Sequence, residues 1–210
     1  MSAKQPSLEE LKGSELFSRL YDFGRERSFE EGHALQVTRL SLELYDILAS
    51  VHRMGDRERI LLFSAAMLHD VGMCRGIRGH HKSSMDIIMA GDLHPLTGDE
   101  RKVVAGIARY HRKAHPRRKH DHFSGLNENE QLNVSRAASI LRIADALDRA
   151  HDNNVKSLDV EMSTRKIRIK AVSTRELSSE EEALRRKGRL FEELFGLKLS
   201  LEAVGPQEVK

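Results

Sequence analysis

Residues 57–69 read Arg-Glu-Arg-Ile-Leu-Leu-Phe-Ser-Ala-Ala-Met-Leu-His. From Ile60 onward this stretch is apolar nearly all round, through Leu61, Leu62, Phe63, Ala65, Ala66, Met67 and Leu68. A helix of that kind has no polar face to give to water, so it is buried on most sides and other elements must surround it. It runs directly into His69-Asp70, and Gly72 is read as its stop. Two chemically active side chains therefore arrive at the end of a core element.

The neighbouring sequence supplies helices to pack around it. Residues 1–13 are polar and are expected to fray, and a helical pattern begins at Leu16. Across Ser28–Ser50, His33, Val37, Leu40, Leu44, Ile47 and Leu48 recur at spacings of three and four, which places His33 at the start of a buried face. Arg75–His80 reads as a loop, Lys82–Ala90 as a helix, Gly91–Gly98 as a turn, Asp99–His111 and Leu132–Ala150 as further helices. The period then changes to two. Leu158, Val160 and Met162 alternate with Asp159 and Glu161, and Ile167, Ile169 and Ala171 with Arg168 and Lys170, as in two half-buried strands joined by a hairpin at Ser163–Lys166. Ser178–Phe195 returns to helix, and Leu199, Leu201 and Ala203 make a last short strand. The expected fold is mainly α: a helical domain over residues 1–152, followed by a small β-β-α-β subdomain over 153–210.

Composition narrows the setting. The 210 residues include one cysteine, Cys74, so no internal disulfide can form. No apolar leader follows Met1, and no run approaches the roughly 18 apolar residues of a membrane span. A cytoplasmic protein without membrane contact is expected. The net charge of +3 is mild for nucleic-acid binding. The basic residues are concentrated, however, in Arg109-Tyr-His-Arg-Lys-Ala-His-Pro-Arg-Arg-Lys-His-Asp-His122. That run is either a solvated loop or a cationic rim for an anionic, phosphate-like ligand.

His33, His69, Asp70 and Asp145 share one trait: each lies on or at the end of an expected helix, beside apolar neighbours. An ionised aspartate in a core costs several kcal/mol unless it is paired or ligates a metal. For Asp145 alone, an ion pair with Arg142 or Arg149 would suffice. As a set, two imidazoles and two carboxylates from three helices make a mixed nitrogen–oxygen site suited to Mn²⁺, Fe, Mg²⁺ or Zn²⁺. His80, His81 and His111 offer a second position, with Asp70 able to bridge two ions that activate water for attack at phosphorus. The alternative is that His80 and His81 only cap a helix and His111 faces solvent.

The order His33, His69-Asp70, Asp145 resembles the signature of the HD-domain metal-dependent phosphohydrolase superfamily. Four segments sharpen the likeness: Leu68-His69-Asp70-Val71-Gly72, His80-His81-Lys82-Ser83-Ser84, Arg109-Tyr110-His111-Arg112-Lys113 and Arg142-Ile143-Ala144-Asp145-Ala146-Leu147-Asp148-Arg149. Together they resemble the C-terminal HD region of the exopolyphosphatase/guanosine pentaphosphate phosphatase family, over about residues 15–203. The resemblance implies that His33, His69, Asp70 and Asp145 hold one ion and that Asp70, His81 and His111 hold another, with His80 an alternative to His81. In that family the polyphosphate-hydrolysing site belongs to preceding actin-like domains. This sequence has no room for them, and no glycine-rich phosphate loop follows a strand. What the resemblance is expected to carry over is the HD site; exopolyphosphatase activity cannot simply be carried over with it.

The expectation is a metal-dependent phosphohydrolase acting on a phosphoester or phosphoanhydride of a nucleotide or other small phosphorylated molecule. One or two divalent ions activate water, Asp70 is central to the chemistry, and Lys82, Arg112 and Lys113 contact substrate phosphates. The rival is a non-enzymatic module that binds polyphosphate or a nucleotide. Nucleic-acid binding ranks third, because the basic loop has one Tyr and one Phe nearby and so little stacking platform. A homo-oligomer stays open.

Overall fold

The computed structural model describes residues 5–205. Among them are eleven α-helices, one 3₁₀ turn and three strands. The order is α1 (Leu8–Leu11), α2 (Glu15–Arg25), α3 (Glu31–Ile47), α4 (Ala49–His52), α5 (Asp56–Leu68), the 3₁₀ turn Val71–Arg75, α6 (His80–Ala90), α7 (Gly98–Arg109), α8 (Asp121–Ser124), α9 (Glu128–Leu147), β1 (Ser157–Met162), β2 (Lys166–Val172), α10 (Ser178–Lys187), α11 (Arg189–Phe195) and β3 (Lys198–Val204). The fold is mainly helical with a small C-terminal mixed sheet, as the change of period implies.

The apolar helix α5 is central: it packs against α2, α3, α7 and α9. Leu62, Ala65, Ala66 and Leu68 are wholly removed from solvent. The helix ends at Leu68, earlier than the Gly72 stop expected from the sequence. Gly72 instead permits a close approach. A Cβ there would lie 2.3 Å from the His80 carbonyl oxygen and the Ser84 amide nitrogen. Its own N–H donates to Ser84 Oγ at 2.9 Å. The turn after α5 is thus pressed onto the first turn of α6, which starts at His80 rather than at Lys82.

Other boundaries move for local reasons. Leu8 is buried and Ser7 caps a short helix, so the expected frayed segment is ordered where it is described; residues 1–4 lie outside the described residues. Asn127 and Glu130 form a reciprocal cap that starts α9 before Leu132, and the helix ends at Leu147 rather than Ala150. The expected helix Ser178–Phe195 is two helices meeting at Gly188, where a Cβ would lie 2.7 Å from the Leu184 carbonyl oxygen and 2.8 Å from Leu199 Cδ1.

The sheet order is β1-β2-β3, with β1 antiparallel to β2 and β2 parallel to β3 across the α10–α11 crossover. Ile167, Ile169 and Ala171 of β2 are fully buried, while Met162 at the end of β1 is largely exposed. The sheet sits beside α3, and α10 and α11 both lie on α9, the helix that carries Asp145. No single helix is long and apolar enough to cross a membrane.

Candidate metal centre

Six side chains from five places along the chain meet at one end of α5. His69 caps its C-terminus and Asp70 follows. His33 comes from the first turn of α3, His80 from the start of α6, His111 from just past α7, and Asp145 from the last turn of α9. All four histidines are buried, and Asp145 is only 6% exposed.

The imidazoles are oriented in the same way. Nδ1 of His69 lies 2.8 Å from the carbonyl oxygen of Ala66, Nδ1 of His80 3.0 Å from that of Ile77, and Nδ1 of His111 2.7 Å from that of Ala108. A carbonyl oxygen only accepts, so each Nδ1 carries the proton and donates it to the residue three positions earlier. Nδ1 of His33 donates to Asp148 Oδ2 at 2.7 Å. In its neutral form each ring therefore turns an Nε2 lone pair inward, the arrangement by which outer hydrogen bonds prepare histidines as ligands.

Those lone pairs converge. Nε2 of His33 and of His69 are 3.3 Å apart, and Nε2 of His80 and of His111 are 3.4 Å apart. Two lone pairs facing each other at such distances repel unless a cation or a proton lies between them. Asp70 stands between the pairs, with Oδ1 3.1 Å from His80 Nε2 and 3.3 Å from His111 Nε2, and Oδ2 3.8 Å from His69 Nε2. Its Oδ1 is buried without a hydrogen bond. Asp145 Oδ1 is 3.7 Å from His33 Nε2. Two groups, His33-His69-Asp70 and Asp70-His80-His111, can each hold a metal ion, with Asp70 common to both. The unbonded carboxylate oxygen and the nitrogen–oxygen donor set fit a divalent cation.

Protonation follows the same geometry. Burial lowers His111 to about 3 and also lowers His69, so both rings are neutral. Burial would push Asp70 up, but positive charge on the His69, His80 and His111 imidazoles, whenever they hold a second proton, outweighs it, with the His80 ring also hydrogen-bonding to it, and holds the carboxylate well below its usual range. Asp145 is likewise held down against burial, chiefly by the Lys187 ammonium. For His33, burial is outweighed by the Asp148 hydrogen bond and by the charges of Asp145 and Asp70, and its pKa rises.

Sequence reasoning and geometry part at several residues. His80, not His81, belongs to the second group; the His81 ring stands perpendicular to His111 with centroids 6.3 Å apart, and its Nδ1 has no hydrogen-bond partner. Burial, then Arg109 and Arg112, lowers His81 to about 4. Arg142 does not pair with Asp145; it donates to the carbonyl oxygens of Lys187 and Tyr110 at 2.9 and 3.0 Å. The partner of Asp145 is Lys187, which no local pattern indicated. His151 was also missed. Its ring stacks on His33 with centroids 3.7 Å apart, and its Nδ1 lies 2.8 Å from Glu30.

A cavity of about 530 Å³ opens over the cluster, lined by Asp70, His80, His111 and Asp145 together with Arg112, Lys113, Arg142, Arg149, His151, Arg186 and Lys187. Arg112 and Lys113 thus face the site, whereas Lys82 is exposed and does not line the cavity. The basic run is also less solvated than its composition suggests, because Arg109, Tyr110 and His111 are buried and Tyr110 Oη pairs with His120 Nδ1 at 2.7 Å.

In a comparison with protein families, the model described as Ppx/GppA phosphatase, domain III, matches residues 22–193. No curated protein matches the chain.

Proposed function

The chain belongs to the Ppx/GppA phosphatase domain III family, and on that premise we propose that it is a metal-dependent phosphohydrolase of nucleotides or other small phosphorylated molecules. One observation supports this above the rest: four inward Nε2 atoms and the unbonded Asp70 oxygen converge beneath a cavity walled by cationic side chains. His33, His69, Asp70 and Asp145 hold one divalent ion, and Asp70, His80 and His111 hold a second. Bound there, such ions supply Lewis acidity and an activated water for attack at phosphorus.

The protein's own groups do the rest. The Nδ1–H donors of His69, His80 and His111 give their protons to backbone carbonyls, which turns each Nε2 toward the site, where that of His80 also meets Arg112 Nη1 at 3.0 Å. Asp70 remains a carboxylate because the facing imidazoles offset its burial. Arg112 and Lys113 line the mouth and neutralise an incoming phosphoryl group, Arg112 with the planar fork that suits phosphate oxygens. The division at residues 152 and 153 is part of this proposal, since the C-terminal portion brings Arg186 and Lys187 to the wall of a site built by the helical portion.

The test is metal analysis of protein purified without chelator, followed by hydrolysis of a nucleotide and phosphoester panel with Mn²⁺, Mg²⁺ and Fe²⁺. Turnover that depends on the added ion supports an enzyme. Tight metal binding without turnover of any substrate supports a binding module instead. Protein that takes up no divalent ion overturns the proposal.

A further inference from the structure

We propose that Lys187 is a tethered cation that competes with a divalent ion for Asp145, so that the C-terminal portion of the chain sets the metal affinity of the helical portion. The inference rests on the metal reading above.

The contact itself is direct. The Lys187 ammonium pairs with Asp145 Oδ2, while Oδ1 of the same carboxylate faces His33 Nε2 at 3.7 Å. One oxygen of Asp145 is therefore taken by a charge delivered from 42 residues away, and the other faces the imidazole beyond hydrogen-bond distance. The Lys187 side chain is 21% exposed and runs along the cavity wall.

Its backbone is clamped. Lys187 is the last residue of α10, and the turn at Gly188 is too close to Leu184 and Leu199 to accept a Cβ. The Lys187 carbonyl accepts from Arg142 Nε at 2.9 Å, and the same guanidinium donates to the Tyr110 carbonyl at 3.0 Å, one residue before His111. Arg142 thus ties the end of α10 to the segment that carries a metal-facing histidine. The clamp fixes where the Lys187 side chain starts, and the pair with Asp145 fixes where its ammonium ends.

Arg112 makes the corresponding contact at the other end of the cluster, where its Nη1 lies 3.0 Å from His80 Nε2. Each end of an electron-rich site is met by one of the protein's own cations. An ammonium and a divalent ion on one carboxylate repel each other strongly in a partly buried setting. Metal uptake at the Asp145 end must therefore overcome Lys187, by displacing the ammonium or by tolerating it.

Lys187→Met keeps the aliphatic stem and removes the charge. Calorimetric titration of chelator-stripped full-length protein with Mn²⁺ should give affinity at least about tenfold tighter for Lys187→Met than for wild type. Lys187→Arg, which keeps the charge, should stay near wild type. Lys187→Gln carries the same expectation as the methionine variant should that protein not fold. Unchanged or weaker binding in the uncharged variants, with wild type binding normally, overturns the competition alone. Binding by neither wild type nor variant overturns the metal reading and the competition together.

Discussion

Two clusters that each bury a carboxylate, Glu180 in one and Asp145 in the other, lie within this small fold, and they are built on opposite principles. In one, Asp152, Arg175 and Glu180 join the C-terminal portion to the end of α9. Arg175 pairs with Asp152 at 2.8 Å and with Glu180 at 3.2 Å, and Glu180 also accepts from the Ala150 N–H at 3.1 Å and Ser179 Oγ at 2.9 Å. Every charge there has a counterpart. In the other, Asp70 has a buried oxygen without a hydrogen bond, amid imidazole lone pairs that face one another. The first cluster is complete as protein. The second has an excess of electron-pair donors, and its repulsion is relieved by a cation or a proton between them. Burial of charge is common to both, so burial does not distinguish a site from a structural brace; the balance of donors and acceptors does.

The sharpest way to break this contrast is Asp70→Asn. The substitution nearly keeps shape and removes the charge common to both metal groups. Metal affinity should fall by more than about 100-fold, since even outer partners of ligands are worth about 10–100-fold, and turnover should vanish. Metal content by mass spectrometry and hydrolysis assays check it. Hydrolysis at the wild-type rate in pure, metal-free Asp70→Asn protein would end the proposed function. Asp148→Asn comes next. It leaves every proposed ligand in place but weakens the acceptor that orients His33, so metal affinity should fall by about 10–100-fold. Affinity unchanged in a folded variant would mean that His33 needs no such orientation.

Removing the ion tests the same contrast through stability. Saturating wild type at about 100 times its Kd should stabilise it by about 2.7 kcal/mol, seen as a higher Tm than in chelator. Asp70→Asn should lose that difference and Glu180→Gln should retain it. Arg112→Ala should have a smaller and separate effect: metal content does not fall, while kcat/KM drops by about tenfold through loss of a charge-assisted phosphate contact.

How much of this was legible in the sequence differs between the two clusters. His33, His69, Asp70 and Asp145 stood out because polar side chains occupied helix faces that were otherwise apolar, and a helix period places such residues reliably. Choosing between His80 and His81 was beyond that signal, since adjacent residues at a helix start differ by about 100° and the loop before them decides which one faces inward. Lys187 was invisible for a different reason. The sequence reads Ser178–Phe195 as one helix, and where the helix end at Lys187 points is settled by Arg142 and Leu199, both distant in sequence. The Asp152–Arg175–Glu180 cluster gave no pattern either, because its members sit among ordinary surface charges and become a unit only when the sheet docks.

Glu180 offers the finest test, and the sign of its pH dependence can be worked out. The side chain is 1% exposed, and burial by itself would raise its pKa; Arg175 and Ser179 outweigh burial and lower it below its ordinary value of 4.5. A carboxyl group whose pKa is lower folded than unfolded releases its proton more readily in the native state. Its stabilisation is therefore fully present above the unfolded value and is lost as pH falls through the folded one. Glu180→Gln removes the charge, keeps one acceptor oxygen and turns an amide donor toward other donors. Because Arg175 is 36% exposed, the loss should be below that of a fully buried pair, about 2 kcal/mol near neutral pH. Urea unfolding from pH 7 down to pH 3 should show the gap between wild type and variant narrowing below about pH 4.5, equally with Mn²⁺ and with chelator. A gap that depended on metal would mean that the two clusters are coupled through α9, whose last turn carries Asp145 and whose end abuts the Glu180 acceptor, and the brace would then be part of the site.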